Sequence, residues 1–397
     1  MVKFLHCADL HLDSPFMSKQ HLSPNILRDV ENSAYESFKQ IIDVALRENV
    51  DFMIISGDLF DQRNRTFKAE VFLKEEFKRL QKEQIFVYIV HGNHDPLSER
   101  ITNDWPENVT VFSNSVETYQ AITKTGDTVH LHGFSYETAA SYENKIDDYP
   151  TNEDRNIVHI GVLHGTYSKS GASDRYTEFR LEDLNNKLYH YWALGHIHKR
   201  QQLSDLPEIH YPGNIQGRHF KEQGEKGCLI VEGDHVKLTT RFVPTQFIRF
   251  ETAEIDVSQI TQQALYDAIQ SFKMKVRGLG RAFYRLRLNV SGDERINPQV
   301  LEQVKAMILD YEENEQHFVL IDELEIYYTD LESQSIFKEF APELLAQDEI
   351  YEEALQDLYM NPKASKYLDH YLEHDRQALV ERAEAMINAE LKGANRR

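Results

Sequence analysis

The stretch YIVHGNHD, Tyr88–Asp95, opens as a buried strand and then stops behaving like one. Tyr88, Ile89 and Val90 are strand formers, and Gly92 and Asn93 are natural strand-ending turn residues. A turn alone does not ask for an amide, an imidazole and a carboxylate in succession, so Asn93, His94 and Asp95 need a further reason. Working outward, four more strand-like runs end in the same way. The run that ends in CADLHLD brings Asp9 and His11, SGDLFDQ brings Asp58, GVLHG brings His164, and ALGHIHKR brings His196 and His198.

Short β-rich runs alternate with helical segments through about residue 200. Strands are expected at Val2–His6, Phe52–Ser56, Phe86–Val90, Val129–Gly133, Val158–Leu163 and Tyr189–Leu194. The first two are separated by a helical stretch in which Ser23 can cap and Pro24 suits the first position. Phe38, Ile41, Ile42, Ala45 and Leu46 then repeat at helical spacing. A second helix is expected through FKAEVFLKEEFKRLQKEQ. This alternation predicts a layered α/β domain over residues 1–245. From about Phe247 a shorter strand–helix–strand–helix–strand pattern predicts a small α+β unit over 246–330. The remainder, 331–397, reads as a helical tail, with Leu379, Ala383, Met386 and Ile387 on one face of its last helix.

Composition narrows the class. The chain has 397 residues, 41% hydrophobic and 27% charged, which is globular and long enough for two or three domains. No apolar run is long enough to span a bilayer, and polar residues stand where a signal peptide would be apolar. Two cysteines, Cys7 and Cys228, do not make a disulfide framework, so a reducing cytosol is expected. The net charge of −21 looks hostile to nucleic acid, but −15 of it lies between Glu302 and Asp357. That segment is a poor phosphate-backbone contact, and is either a solvated face or a docking surface for a basic partner. The rest of the chain remains free to bind a polyanion if metals assist.

Any one of the five strand ends is a weak signal, since turn acids and incidental histidines are common. Together they are a strong one. In an open α/β sheet, ligands bind outside the carboxyl ends of the strands, and all five runs end there in hard oxygen or imidazole donors. That donor set points to a metal site.

The order D-x-H, G-D, G-N-H-D, G-x-x-H and G-H-x-H resembles the calcineurin-like metallophosphoesterase superfamily. Within it, GDLFD, GNHD and GHIHK, followed by YPGN at Tyr211–Asn214, most resemble DNA repair exonucleases of the SbcD type, and MVKFLHCADLHLDSPF is similar to their YhaO-like branch. The resemblance implies a four-layer sandwich, two mixed β-sheets flanked by helices, with a small α+β cap and a helical partner-binding tail.

On roles, the resemblance and the residues agree. Asp9, His11 and His198 would hold one divalent ion, and Asn93, His164 and His196 the other. Asp58 would bridge them, as two-metal hydrolysis at a spacing of roughly 3.5–4 Å requires. Mixed oxygen and imidazole donors without thiolate favour manganese, with iron, zinc or magnesium as alternatives. Asn93 then explains the opening stretch, because it offers a neutral oxygen that leaves the ions' positive charge uncancelled. By resemblance His94 protonates the leaving oxygen or stabilises the transition state, and Asp95 holds its ring. Arg63, Arg65, Arg218 and His219 are candidates for substrate contact, as are Lys68, Lys199, Arg200, Arg277 and Arg281. Asp61 is read as an outer-shell residue, and His6, His91 and His159 as structural histidines.

The expected activity is therefore metal-activated hydroxide attack on DNA phosphodiesters. By resemblance the chain would pair with an SbcC-like coiled-coil ATPase and form a homodimer. The alternatives are a phosphomonoesterase or cyclic-nucleotide phosphodiesterase using the same site, and a non-catalytic adaptor.

Overall fold

A computed structural model of the chain describes residues 1–14, 22–61, 66–99, 104–140, 144–168, 177–291, 295–310, 312 and 315–328. Arg63, Arg65 and the expected helical tail lie outside the described residues. Among the described residues, Met1–Ile255, Thr261–Arg287 and Asn297–Glu325 belong to one compact unit, and Asp256–Ile260, Leu288–Ile296 and Ile326–Tyr328 to a second.

The chain begins with β1 (Val2–Cys7), α1 (Pro24–Glu31), α2 (Ser33–Glu48), β2 (Phe52–Ser56), α3 (Phe67–Lys82), β3 (Phe86–Val90) and β4 (Val109–Val111). It then crosses to a second sheet through β5 (Glu117–Ile122), β6 (Thr128–Gly133) and β7 (Val158–His164). After the short pair β8 (Thr166–Tyr167) and β9 (Glu178–Phe179), and α4 (Leu181–Asn185), that sheet is completed by β10 (Tyr191–Gly195), β11 (Gln201–Asp205) and β12 (Glu208–Tyr211). Strands β13 (Gly227–Gly233) and β14 (Leu238–Pro244) return to the first sheet. The two six-stranded sheets run β14-β13-β1-β2-β3-β4 and β11-β12-β10-β7-β6-β5. Both are mixed: β1, β2, β3 and β4 are parallel, with β13 antiparallel to β1 and β14 antiparallel to β13, and β6, β7, β10 and β12 are parallel, with β5 antiparallel to β6 and β11 antiparallel to β12.

Three apolar layers hold this arrangement. Phe38, Ile41, Ile42, Phe77 and Leu80 pack α2 and α3 on one face of the first sheet, against Leu5, Met53 and Ile89. The opposite face contributes Phe4, Phe52, Ile54 and Val90, which meet Val129, Leu131, Ile160 and Val162 of the second sheet. The outer face of that sheet carries Phe134, Tyr149, Leu163 and Trp192 with Leu184 of α4. Parallel strands buried on both faces read as continuous apolar runs, which is why β2 and β3 were legible in the sequence.

Two local readings need correcting. The helix expected before β2 is two helices, broken at Asn32 between α1 and α2. Ser23 makes no side-chain cap bond there, whereas Thr66 caps α3 by accepting from the Ala69 N–H at 3.2 Å.

Beyond β14 come β15 (Ile248–Val257), α5 (Gln262–Arg277), β16 (Arg281–Val290), α6 (Pro298–Asp310) and β17 (Val319–Tyr328), the strands forming a sheet in the order β15-β16-β17. Within the first compact unit, Phe220, Phe250, Phe283 and Phe318 form a run of ring contacts, with centroids 5.4, 5.2 and 5.6 Å apart.

Candidate metal centre

The carboxyl ends of β1, β2, β3, β7 and β10 converge. Backbone bonds zip the segment after β1 to the segment after β2: Asp9 N–H donates to Gly57 O at 3.1 Å, His11 N–H to Asp58 O at 3.1 Å and Leu12 N–H to Leu59 O at 3.0 Å. Asp9, His11, Asp58 and His196 all have positive φ, at 53°, 44°, 54° and 102°. Four non-glycine residues in this region, clustered at one site, mark a backbone held in place by its surroundings. Two glycines allow the close approach. A Cβ on Gly195 would lie 1.8 Å from Ser56 O, and one on Gly92 would lie 2.3 Å from Asp58 Oδ1. Without a side chain at Gly195 the ends of β10 and β2 can meet.

The donors fall into two adjoining groups. Asp9, His11 and His198 form one, Asp58, His164 and His196 the other, and within each the ligand atoms lie within 4.8 Å of one another. Asn93 joins the second group, its Oδ1 lying 3.0 Å from His164 Nε2 and 3.2 Å from His196 Nδ1. Asp58 stands between them, with Oδ2 3.4 Å from His164 Nε2 and 3.8 Å from His11 Nε2. Its Oδ1 accepts the His94 N–H at 2.9 Å.

The proton inventory shows that this cluster suits cations. His164 donates Nδ1–H to Ser56 O at 2.9 Å, which turns Nε2 toward Asn93 and Asp58. His198 donates Nδ1–H to Glu222 Oε1 at 2.7 Å, leaving the Nε2 lone pair directed at His11 Nε2, 3.0 Å away. The Nε2 atoms of both rings therefore face the donor cluster. Such an outer partner is what fixes the tautomer of metal-bound histidines. The donor set of carboxylate, amide and imidazole suits a hard-to-borderline divalent ion.

Burial is the largest influence on the titration of these groups. It pushes Asp9 up and His11 down, and takes His196 down to about 3. For Asp58 burial also acts upward, but His164, His11 and His94 together override it and hold the carboxyl well below the usual carboxylate range. Burial likewise works against a charged His164, and Asp58 reverses that, raising the imidazole. A proton on His164 beside Asp58 occupies the place a cation would take, so cation uptake would release it.

The other expected site residues are distributed as follows. His94 is half-buried, its ring 4.9 Å from that of His11 and at right angles to it. Asp95 does not hold that ring. Its Oδ2 accepts the Leu59 N–H and its Oδ1 the Gly92 N–H, both at 2.8 Å, so it locks the GNHD turn to GDLFD. The carboxylate beside His94 is that of Asp61, grouped with His11 and His94. The His-x-His pair follows β10 in a loop, and its rings join different groups. Arg218 is at the centre's edge, donating to Glu222 Oε1 at 3.0 Å and to Ser14 Oγ at 3.2 Å, with exposed His219 beside it, 4.0 Å from Glu222. Arg277 and Arg281 are engaged elsewhere, with Glu312 and with Asp29 respectively. Arg200 stacks on Phe242. His6 is structural as expected, its Nδ1 3.0 Å from the Tyr191 hydroxyl.

Glu222 was missed by the sequence reading. Its one signal is the i,i+4 spacing from Arg218, since only the fold brings it to His198. YPGN supports the same histidine: Asn214 N–H donates to His198 O at 3.2 Å, and a Cβ on Gly213 would meet that oxygen at 2.8 Å.

Two mixed sheets with helices, and a donor cluster at their strand ends, define a metal-dependent phosphoesterase. The chain belongs to the calcineurin-like phosphoesterase family, whose model matches residues 2–200 and so includes every donor from Asp9 to His198. It is 35% identical over 401 residues to the uncharacterized metallophosphoesterase YhaO of Bacillus subtilis, covering 98% of each chain. It is 25% identical to one of the subunits of nuclease SbcCD from Staphylococcus epidermidis, over 80% of this chain and 88% of that one. It is also 26% identical to the DNA double-strand break repair protein Mre11 of Sulfurisphaera tokodaii, over 57% of this chain and 59% of that one. No helix among the described residues is long and apolar enough to cross a membrane.

Proposed function

We propose that this phosphoesterase is a DNA nuclease that hydrolyses phosphodiester bonds with two divalent ions, manganese being the best match to the donors. Asp9, His11 and His198 hold one ion, Asn93, His164 and His196 the other, and Asp58 lies between. The observation that carries the reading is the position of Asp58 Oδ2 between His11 and His164, one carboxylate oxygen shared by both groups. When bound, the ions would supply an activated water and positive charge for the phosphate.

The chain's own residues do the rest. Asn93 contributes an oxygen without charge, which preserves attraction for a phosphodiester. His94, at the solvent-facing edge and fixed through its N–H on Asp58, holds a proton for the leaving oxygen. Asp61 takes the orienting role expected of Asp95. Glu222 keeps His198 in the tautomer that offers Nε2, and Arg218 keeps Glu222 charged. We assign residues 1–245 to catalysis, 246–330 to a cap and 331–397 to partner binding.

DNA as substrate is supported by the similarity to the SbcCD nuclease and to Mre11. From the motif resemblance we further propose a coiled-coil ATPase partner and a homodimer, and from the two-cysteine content a cytoplasmic compartment. The test compares end-labelled single- and double-stranded DNA with bis(p-nitrophenyl) phosphate in manganese, for the native chain and Asn93→Ala. Cleavage of DNA, lost in Asn93→Ala, is expected. Turnover of the small diester alone would favour the cyclic-nucleotide phosphodiesterase reading, and no turnover of either in a metal-loaded protein would favour a phosphomonoesterase or an adaptor. Full turnover by Asn93→Ala would remove it as a ligand.

A further inference from the structure

A second group of imidazoles lies on the outer face of the second sheet. His130 and His132 alternate on β6 with Val129 and Leu131, which face the inter-sheet core, so both rings stand on the opposite face. The parallel register sets His130 against His159 of β7. His159 is five residues before His164 on that strand, about 16 Å at the usual rise per residue, so this group is separate from the candidate metal centre.

One nitrogen from each of the three rings lies within 4.8 Å of the other two. His132 Nε2 and His159 Nδ1 are 2.9 Å apart, close to the roughly 3.3 Å edge of a tetrahedron with bonds of about 2.0 Å to nitrogen. His132 is held in place from two sides. Its Nδ1 lies 2.8 Å from Thr118 Oγ1 on β5, and Tyr189 stacks on the ring at 4.7 Å. A hydroxyl on the far nitrogen with the near one turned to the cluster is the outer-shell pattern of metal-bound histidine. His159 is only 8% exposed, so its Nδ1 meets His132 Nε2 in a sheltered space. His130 is half-buried, giving a route from solvent.

Burial, followed by the neighbouring rings, pushes His132 down to about 3 and His159 to about 4. Neither ring therefore carries a second proton at neutral pH that a cation would have to displace. The exposed carboxylate of Asp154 adds negative charge felt by His159 and His130.

We propose that His130, His132 and His159 form a third metal site, an all-nitrogen one that takes Zn2+, Ni2+ or Cu2+ and ties β6 to β7. Three imidazoles without a carboxylate suit these ions and disfavour Mn2+ and Mg2+. The site differs in kind from the mixed oxygen–nitrogen centre, and it does not rest on the nuclease reading.

The full chain is saturated with Mn2+, exposed to Zn2+, desalted and analysed for total metal per chain, alongside His130→Ala. His130→Ala is expected to hold one equivalent less than the native chain, whatever the native total. An equal count in the two overturns the proposal, as does a native chain that takes up no zinc beyond exchange for manganese. If circular dichroism finds His130→Ala unfolded, His130→Gln replaces it, with the same outcomes.

Discussion

Replacing Glu222 by glutamine separates an outer-shell role from a merely structural one. Glu222 is buried and accepts from His198 Nδ1 at 2.7 Å, from the Arg218 N–H at 2.9 Å, and from Arg218 Nη2 and Nε at 3.0 and 3.4 Å. Both oxygens are in use. A glutamine amide can keep one set of partners, and its NH2 must then face N–H donors on the other side. At least one charge-assisted bond is lost, which is worth about 1.5–3 kcal/mol. Arg218 is also left without its counter-ion beside a site meant for cations, and His198 is free to turn. Loss of such a partner costs about 10- to 100-fold in metal affinity, equivalent to about 1.4–2.8 kcal/mol. The assay is the manganese dependence of diester hydrolysis, with manganese binding followed by calorimetry. We expect the half-saturating manganese concentration to rise by that factor, with much of the turnover recovered at saturation. A curve that overlays the native one, in a folded protein, would refute the assignment of Glu222 to His198.

Three more outcomes follow from the same geometry. His94→Gln should keep the native metal count yet lose about 100- to 10,000-fold in turnover on DNA, and less on a p-nitrophenyl ester, whose leaving group needs little protonation; equal loss on both would exclude leaving-group protonation. Gly92→Ala puts a Cβ 2.3 Å from Asp58 Oδ1 and 2.7 Å from the His164 ring. It should cost about 1–3 kcal/mol in urea unfolding and weaken manganese binding, and an unchanged protein on both measures would contradict the close approach. Burial, then the charge of His210, takes His6 from 6.5 down to about 3. Because the folded value is the lower one, its contribution to stability is intact above pH 6.5 and is lost as the pH falls toward 3. Imidazole NMR should show a neutral ring at pH 5, and a midpoint near 6.5 would show that the ring is not sealed between the sheets.

The sequence by itself determined the set of candidate donors and much of the α/β skeleton. Strands with both faces buried are continuous apolar runs, so β2 and β3 were found to the residue. The donors stand directly after such runs, and a parallel α/β sheet gathers ligands at its strand ends whatever its other details. The antiparallel edges were less legible. In β11 and β14, where side chains alternate between covered and exposed, the pattern resembles that of a polar loop.

Tertiary structure decided how the donors divide and what supports them. It sent neighbouring His196 and His198 to different groups, because a turn rather than a strand follows Gly195. It gave the oxygens of Asp95 to backbone N–H groups, and put Asp61 beside His94. It brought Glu222 to His198 from a short 3-10 helix, 24 residues on along the chain, and seated His159 against His130 through sheet register. These are relations between strands that adjoin only after folding. Local propensity and spacing carry no record of them, because each is fixed by the distance between segments that are remote along the chain.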